Sequence, residues 1–144
     1  GYSDARAYAA RVEQAADAIA DLADAGPGSA GHAAGFATEA IDVLLDEYAS
    51  VPDYSGAVAD AISAMFDAHL QACEIARPDP EGLARYLLSL VLRDESGYQP
   101  DLSPYTPLLG HTGRAILRDC AAELQGKDPG SWRALDLIRL ADGQ

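Results

Sequence analysis

His69 and Cys73 stand four residues apart. On a helix that spacing puts an imidazole and a thiol on one face, within reach of one metal ion. His111 and Cys120 could raise such a set to four ligands. The surroundings argue otherwise. Val58, Ile62, Met65, His69, Cys73 and Ala76 form one apolar stripe, and on such a stripe a thiol is usually a small core side chain. His111 and Cys120 are nine residues apart, which does not set them on neighbouring turns of one face. The expectation is a packed His69 with a hydrogen-bonded ring nitrogen, a structural Cys73, and no metal or other cofactor.

Four carboxylates crowd another stretch: Glu39, Asp42, Asp46 and Glu47. Acid–base chemistry or a two-metal bundle would need such groups, with partners from other helices, facing inward. Here Ile41, Leu44, Leu45 and Tyr48 make the apolar face, and the acids fall opposite or beside it. They are read as a solvated face, with protein interaction as the functional alternative. Ser, His and Asp are present, but no nucleophile elbow or Gly-rich phosphate loop accompanies them. No catalytic residue is assigned, and an enzyme is not expected.

The totals narrow the class. At 144 residues with 49% apolar content, one globular domain is the expectation for residues 1–144. The chain starts at Gly1 without Met, which fits either a fragment of a longer protein or an added first residue. Two Cys are too few for a disulfide framework, which points to a reducing, cytoplasmic setting. No signal-peptide pattern is seen, and no apolar run approaches the roughly 18 residues of a membrane span. Net charge is −13, with 13 acids and 2 bases in residues 1–76 against 10 acids and 8 bases in 77–144. An acidic first half argues against direct contact with nucleic acid or anionic membranes. It suits a basic protein partner.

The elements that position these residues are all helical. A first helix is expected over Ser3–Ala25, capped by Ser3, with Tyr8, Val12, Ala15, Ile19 and Leu22 as its stripe. Gly26–Gly31 reads as a loop, and His32–Ser50 as the second helix. Ser55 is the expected cap of a third, central helix over Gly56–Ala76. At Arg77-Pro78-Asp79-Pro80 the chain turns: Pro78 pushes Arg77 off helical dihedrals, Asp79 caps, and Pro80 suits the first helical position. A fourth helix to Asp94 should fold back on the third as a hairpin, with Leu83, Leu87, Leu90 and Val91 inward. A fifth is expected over Pro104–Leu124 on the stripe Tyr105, Leu109, Thr112, Ile116 and Cys120. Gly110 and Gly113 inside it mark either an irregular start or a close approach by a neighbour. Ser131 caps a last short helix carrying Trp132, Leu135 and Ile138. Tyr54, Tyr98, Tyr105 and Trp132, at loops and helix starts, are expected as partly buried staples.

Shifting the third helix by 47 residues lays its stripe on that of the fifth, a period within the range of HEAT-like helical pairs. An irregular bundle of equal-length hairpins would echo in the same way.

The run DYSGAVADAISAMFDAHLQACEIARPDPEGLARYLLSLVLRDE also resembles a helical domain of unknown function. That domain occurs in bacterial SWIM zinc-finger family proteins and in related proteins without the finger. The likeness rests on Gly56, His69, Ala72-Cys73, the Ala76-to-Pro80 corner, Leu83-Ala84 and Leu87, with a later match around Gly113. It implies tetratricopeptide-like helical pairs and a scaffold role. The finger's Cys-x-Cys pair is absent from this chain, so no nucleic-acid activity carries over.

The expectation is therefore an all-α domain of about five long helices and one short, in antiparallel hairpins, solenoid-like or as an irregular bundle. Its expected role is a non-enzymatic protein-interaction module. A small-ligand-binding bundle is the alternative, and an enzyme with an unrecognised site comes third. An open groove would favour the first, an enclosed apolar pocket the second.

Overall fold

Side-chain oxygens decide where several helices begin. The computed structural model describes residues 2–51, 53, 56–93 and 98–144, with backbone alone for Tyr2 and Ser3. The elements are α1 (Tyr2–Asp24), α2 (Pro27–Tyr48), α3 (Ala57–Ala76), α4 (Pro80–Leu92), a 3-10 helix (Ser103–Leu108), α5 (Gly110–Lys127) and α6 (Trp132–Asp142). Every regular element among the described residues is helical, so the protein is all-α. At the head of α4 the Asp79 carboxylate accepts from the Gly82 N–H at 3.0 Å, and Pro80 opens the helix. Ser131 caps α6 by accepting from Ala134 N–H at 3.2 Å. Both follow the expected cap chemistry. The first turn of α3 is held by Asp53, whose two carboxylate oxygens accept from Val58 and Ala59 N–H, each at 3.0 Å. Ser55, expected there, lies outside the described residues, as do Tyr54 and the side chain of Ser3.

The chain divides into two compact units: Gly1–Arg77 with Glu95–Pro100, and Pro78–Asp94 with Asp101–Gln144. The Arg-Pro-Asp-Pro corner is thus where one unit ends and the next begins. The third and fourth helices of the expected hairpin fall in different units, each with its own partners. α3 packs on α1 and α2, and α4 packs on α5 and α6. Arg77 closes α3 in the left-handed region at φ 52°, its N–H donating to Cys73 carbonyl at 2.8 Å. A non-glycine residue held there costs about 1–2 kcal/mol.

In the first unit α3 is central, as its broad stripe predicts. Val58, Ile62, Met65, Phe66, His69 and Cys73 are all buried. α1 sits differently from its expected stripe. Its buried residues are Ala5, Ala9, Val12, Ala16 and Ala23, while Ala15 is exposed and Tyr8, Ile19 and Leu22 are half-buried. The helix is turned so that its alanines meet its neighbours. Ala23, Ala30, Ala33 and Ala72 form one core cluster from all three helices. α2 begins five residues earlier than expected, at Pro27 behind Gly26, whose φ of 135° needs glycine. Burial of Ala30 and Ala33 in that cluster offsets the poor helix propensity of Gly28 and Gly31. Tyr98 belongs to this unit. Its ring stacks on Phe66 at 6.1 Å between centroids and meets Tyr48 edge-on at 5.7 Å.

In the second unit the expected fifth helix splits. Pro107, which has no N–H, lies in the 3-10 segment, and Gly110 at φ 58° opens α5. Gly110 therefore marks an irregular start, and Gly113 the close approach. A Cβ at Gly113 would lie 3.1 Å from the Pro80 carbonyl oxygen and 3.4 Å from Ala84 Cβ. The buried face of α5 is Gly113, Leu117 and Ala121, one residue on from Thr112, Ile116 and Cys120. The 47-residue echo does not hold its register in burial on this helix. α6 likewise buries Ala134, Leu137, Leu140 and Ala141 and leaves Trp132 and Leu135 outward. Its last turn is tied down by the Thr106 hydroxyl, which donates to Leu140 carbonyl at 2.7 Å, and by an Arg118–Asp142 ion pair at 2.8 Å.

Candidate groove between α1 and α2

α1 and α2 are antiparallel, joined by the tight turn at Ala25–Gly26, and both rest on α3. Their small-residue cluster at Ala23, Ala30 and Ala33 draws one end of the pair together. Toward the other end the side chains are larger and the seam opens into a groove of about 500 Å³. Tyr8, Val12 and Ala15 of α1 form one lip, and Phe36, Ala40 and Val43 of α2 the other. Leu44 and Met65 form its floor. Phe36 and Val43 are 55% and 54% exposed, a high degree for two large apolar side chains seven residues apart on one lip. That spacing is two helical turns, so both apolar side chains face the same opening.

The polar groups lie at the margins. The Tyr8 hydroxyl donates to Glu47 Oε2 at 2.5 Å and ties the first turns of α1 to the last of α2. Burial, reinforced by that carboxylate, pushes the Tyr8 phenol up to about 12. Arg11 lies over the Tyr8 ring at 5.9 Å and lines the groove from the α1 side, while Glu39 lines it from α2. At about 100° per residue, Glu39, Asp42 and Asp46 occupy the strip of α2 immediately outside Phe36 and Val43. All three are exposed, as is Glu47.

Of the four acids singled out in the sequence, Glu39, Asp42 and Asp46 thus share one strip of α2 beside the groove, and Glu47 lies off that strip, where it accepts from Tyr8. The α2 pattern does not reveal the groove, because its apolar stripe runs through Ile41, Leu44, Leu45 and Tyr48. One signal was available: Phe36 and Val43 lie outside that stripe and make α2 more apolar than its buried arc requires.

His69 and Cys73 lie inside the first unit, with Cys73 Sγ 3.5 Å from His69 Nε2. His69 is only 2% exposed, and burial depresses its imidazole to about 4. Burial, with a smaller contribution from Glu74, raises the Cys73 thiol to about 11. This is the chemistry of a packed neutral pair. His111 is exposed and Cys120 half-buried on α5, in the second unit. Among the described residues no three His, Cys, Asp or Glu side chains converge as metal ligands. No helix among them is long and apolar enough to cross a membrane.

No family model matches the chain, and no curated protein or solved structure is found similar to it.

Proposed function

We propose that this chain is a non-enzymatic protein-interaction module and that the α1/α2 groove is its contact surface. The observation that carries the reading is the open apolar groove with Phe36 and Val43 exposed on one lip. A contiguous apolar patch rimmed by polar residues is the usual mark of a docking surface. Two antiparallel helices lying side by side suit a partner helix laid between them. The likeness of the Arg-Pro-Asp-Pro region to the helical domain of SWIM zinc-finger family proteins supports the same scaffold role. A finer reading as tandem tetratricopeptide-like pairs draws support from the 47-residue echo, and the shifted burial on α5 weighs against it. A net charge of −13 favours a protein partner over nucleic acid or an anionic membrane. The free thiols Cys73 and Cys120 suit a reducing, cytoplasmic setting.

A second reading has its own support. A volume of about 500 Å³ is within the usual range for a small-molecule site, so an apolar ligand could occupy the same groove.

A photo-crosslinking amino acid placed at Val43, with a control at exposed Gln125, separates the two. Capture of a polypeptide at position 43 and not at 125 supports the contact surface. Labelling of a small molecule there supports the second reading, and identical products at both positions would overturn both.

A further inference from the structure

Resting on the reading of the groove as a protein-contact surface, we propose its occupant: a partner's amphipathic helix carrying Lys or Arg along the flank that lies over α2.

Shape selects a helix. The lips present Phe36 and Val43 on α2 and Tyr8 and Ala15 on α1, each pair seven residues apart. Matched two-turn spacings receive apolar side chains at i, i+3, i+4 and i+7 of a third helix.

Charge selects the flank. Glu39, Asp42 and Asp46 form an exposed strip along the outer edge of the Phe36–Val43 lip. α2 contains no Lys or Arg from end to end, so the helix that carries the strip supplies no cation to repel a basic side chain. The α1 lip is different, because Arg11 lines it. A helix with cations on both flanks would set one row against Arg11. The complementary helix is therefore basic on the α2 side and neutral or acidic on the α1 side, which also fixes its orientation. Rim charges of this kind act mainly on association rate.

Other occupants match less well. The outward face of α6 on a second copy offers Trp132 and Leu135, but Arg133 and Arg139 alternate there with Asp136 and Asp142. A small apolar ligand would make no use of the acidic strip.

The test displays a library of helical peptides with apolar residues at i, i+3, i+4 and i+7 and randomised flanks. It is selected on the full chain and counter-selected on the Phe36→Ser/Val43→Ser double variant. The expected pool is enriched in Lys and Arg on one flank. Its best peptide should bind the Glu39→Lys/Asp42→Lys/Asp46→Lys variant at least about tenfold more weakly, chiefly through slower association, and added salt should no longer weaken that binding, because it now screens a repulsion. All five substituted positions are exposed, and thermal melting verifies that both variants fold. If the serine variant melts early, a crosslinker on the selected peptide reads the same contact on the unsubstituted chain. A pool that needs Phe36 and Val43 but is neutral or acidic overturns the proposed partner and leaves the groove reading standing. A pool indifferent to Phe36 and Val43, with no crosslink to the groove, overturns both. A chain that dimerises through Phe36 and Val43 would make a second copy the occupant and overturn the basic helix.

Discussion

Gly113 on α5 faces the carbonyl oxygen of Pro80 in the first turn of α4, and a Cβ added at Gly113 would stand 3.1 Å from that oxygen and 3.0 Å from Leu109 Cβ. Both neighbours are stiff: one is backbone, the other the first carbon of a fully buried side chain. The two helices are close because position 113 carries no side chain, and the second unit's core is built on that approach. Gly113→Ala should cost about 1–3 kcal/mol through overpacking, despite alanine's better helix propensity. Gly31→Ala and Gly35→Ala should do the opposite. A Cβ at either site meets nothing within 4 Å, so each should stabilise by roughly 0.5–1 kcal/mol. Urea midpoints of the three variants check the sign change, and a stabilising Gly113→Ala would refute the close approach.

Acid sensitivity should trace in part to His69. Its imidazole titrates near 4 when folded and near its ordinary 6.5 when unfolded, so the unfolded chain binds the extra proton between those values. Stability is then unaffected by this group above pH 6.5, falls as pH drops, and levels off below about 4. The full loss is on the order of 3 kcal/mol. Denaturation of the wild type and His69→Gln at pH 7 and pH 5 isolates it from the carboxylates. The wild type should lose more over that interval, and equal losses would assign the sensitivity elsewhere.

The two thiols should differ in reactivity. Cys73 is buried in the α3 core with a raised pKa, whereas Cys120 is half-buried on α5. Thiolate is the reactive form, so modification of Cys73 by a disulfide reagent should wait for unfolding. The Cys120→Ser chain should label at a rate that tracks denaturant, and rapid labelling without denaturant would show an accessible Cys73. Cys73→Ala should cost on the order of 1–2 kcal/mol for the small cavity left. Cys73→Asp should cost more, because it buries a charge.

Tyr98 joins its unit through a hydroxyl–hydroxyl bond with Ser63 at 2.6 Å and through the rings of Phe66 and Tyr48. Tyr98→Phe keeps the ring contacts and should cost about 1 kcal/mol. Tyr98→Ala removes both and should cost at least about 1 kcal/mol more, since aromatic pairs add to area burial. Thermal midpoints of the pair, beside Ser63→Ala, resolve the two contributions. An alanine variant no worse than the phenylalanine one would mean the rings contribute nothing.

Some of this architecture is set by the chain's local chemistry. Asp79 and Ser131 cap their helices because a short oxygen-bearing side chain can reach an N–H three residues ahead, whatever lies around it. The α3 face was legible because Val58, Ile62, Met65 and Phe66 contrast with Asp60, Ser63 and Asp67 in every turn. Glu39, Asp42 and Asp46 of α2 fall on one side for the same periodic reason. Tertiary structure decided the remainder, chiefly where the residues are alanine or glycine. α1 is rich in alanine on several sides, so its pattern scarcely distinguishes Ala15 from Ala16, and the close packing at Ala23, Ala30, Ala33 and Ala72 sets its rotation. The same packing carries α2 back to Pro27 through glycines that propensity alone would leave as loop. α5 is turned by one residue because Gly113 must face Pro80 and Ala84. The groove arises where α1 and α2 do not fill the space between them, leaving Phe36 and Val43 partly in solvent. Periodicity states which side chains prefer burial, but only the spacing of neighbouring helices determines which of them find a partner.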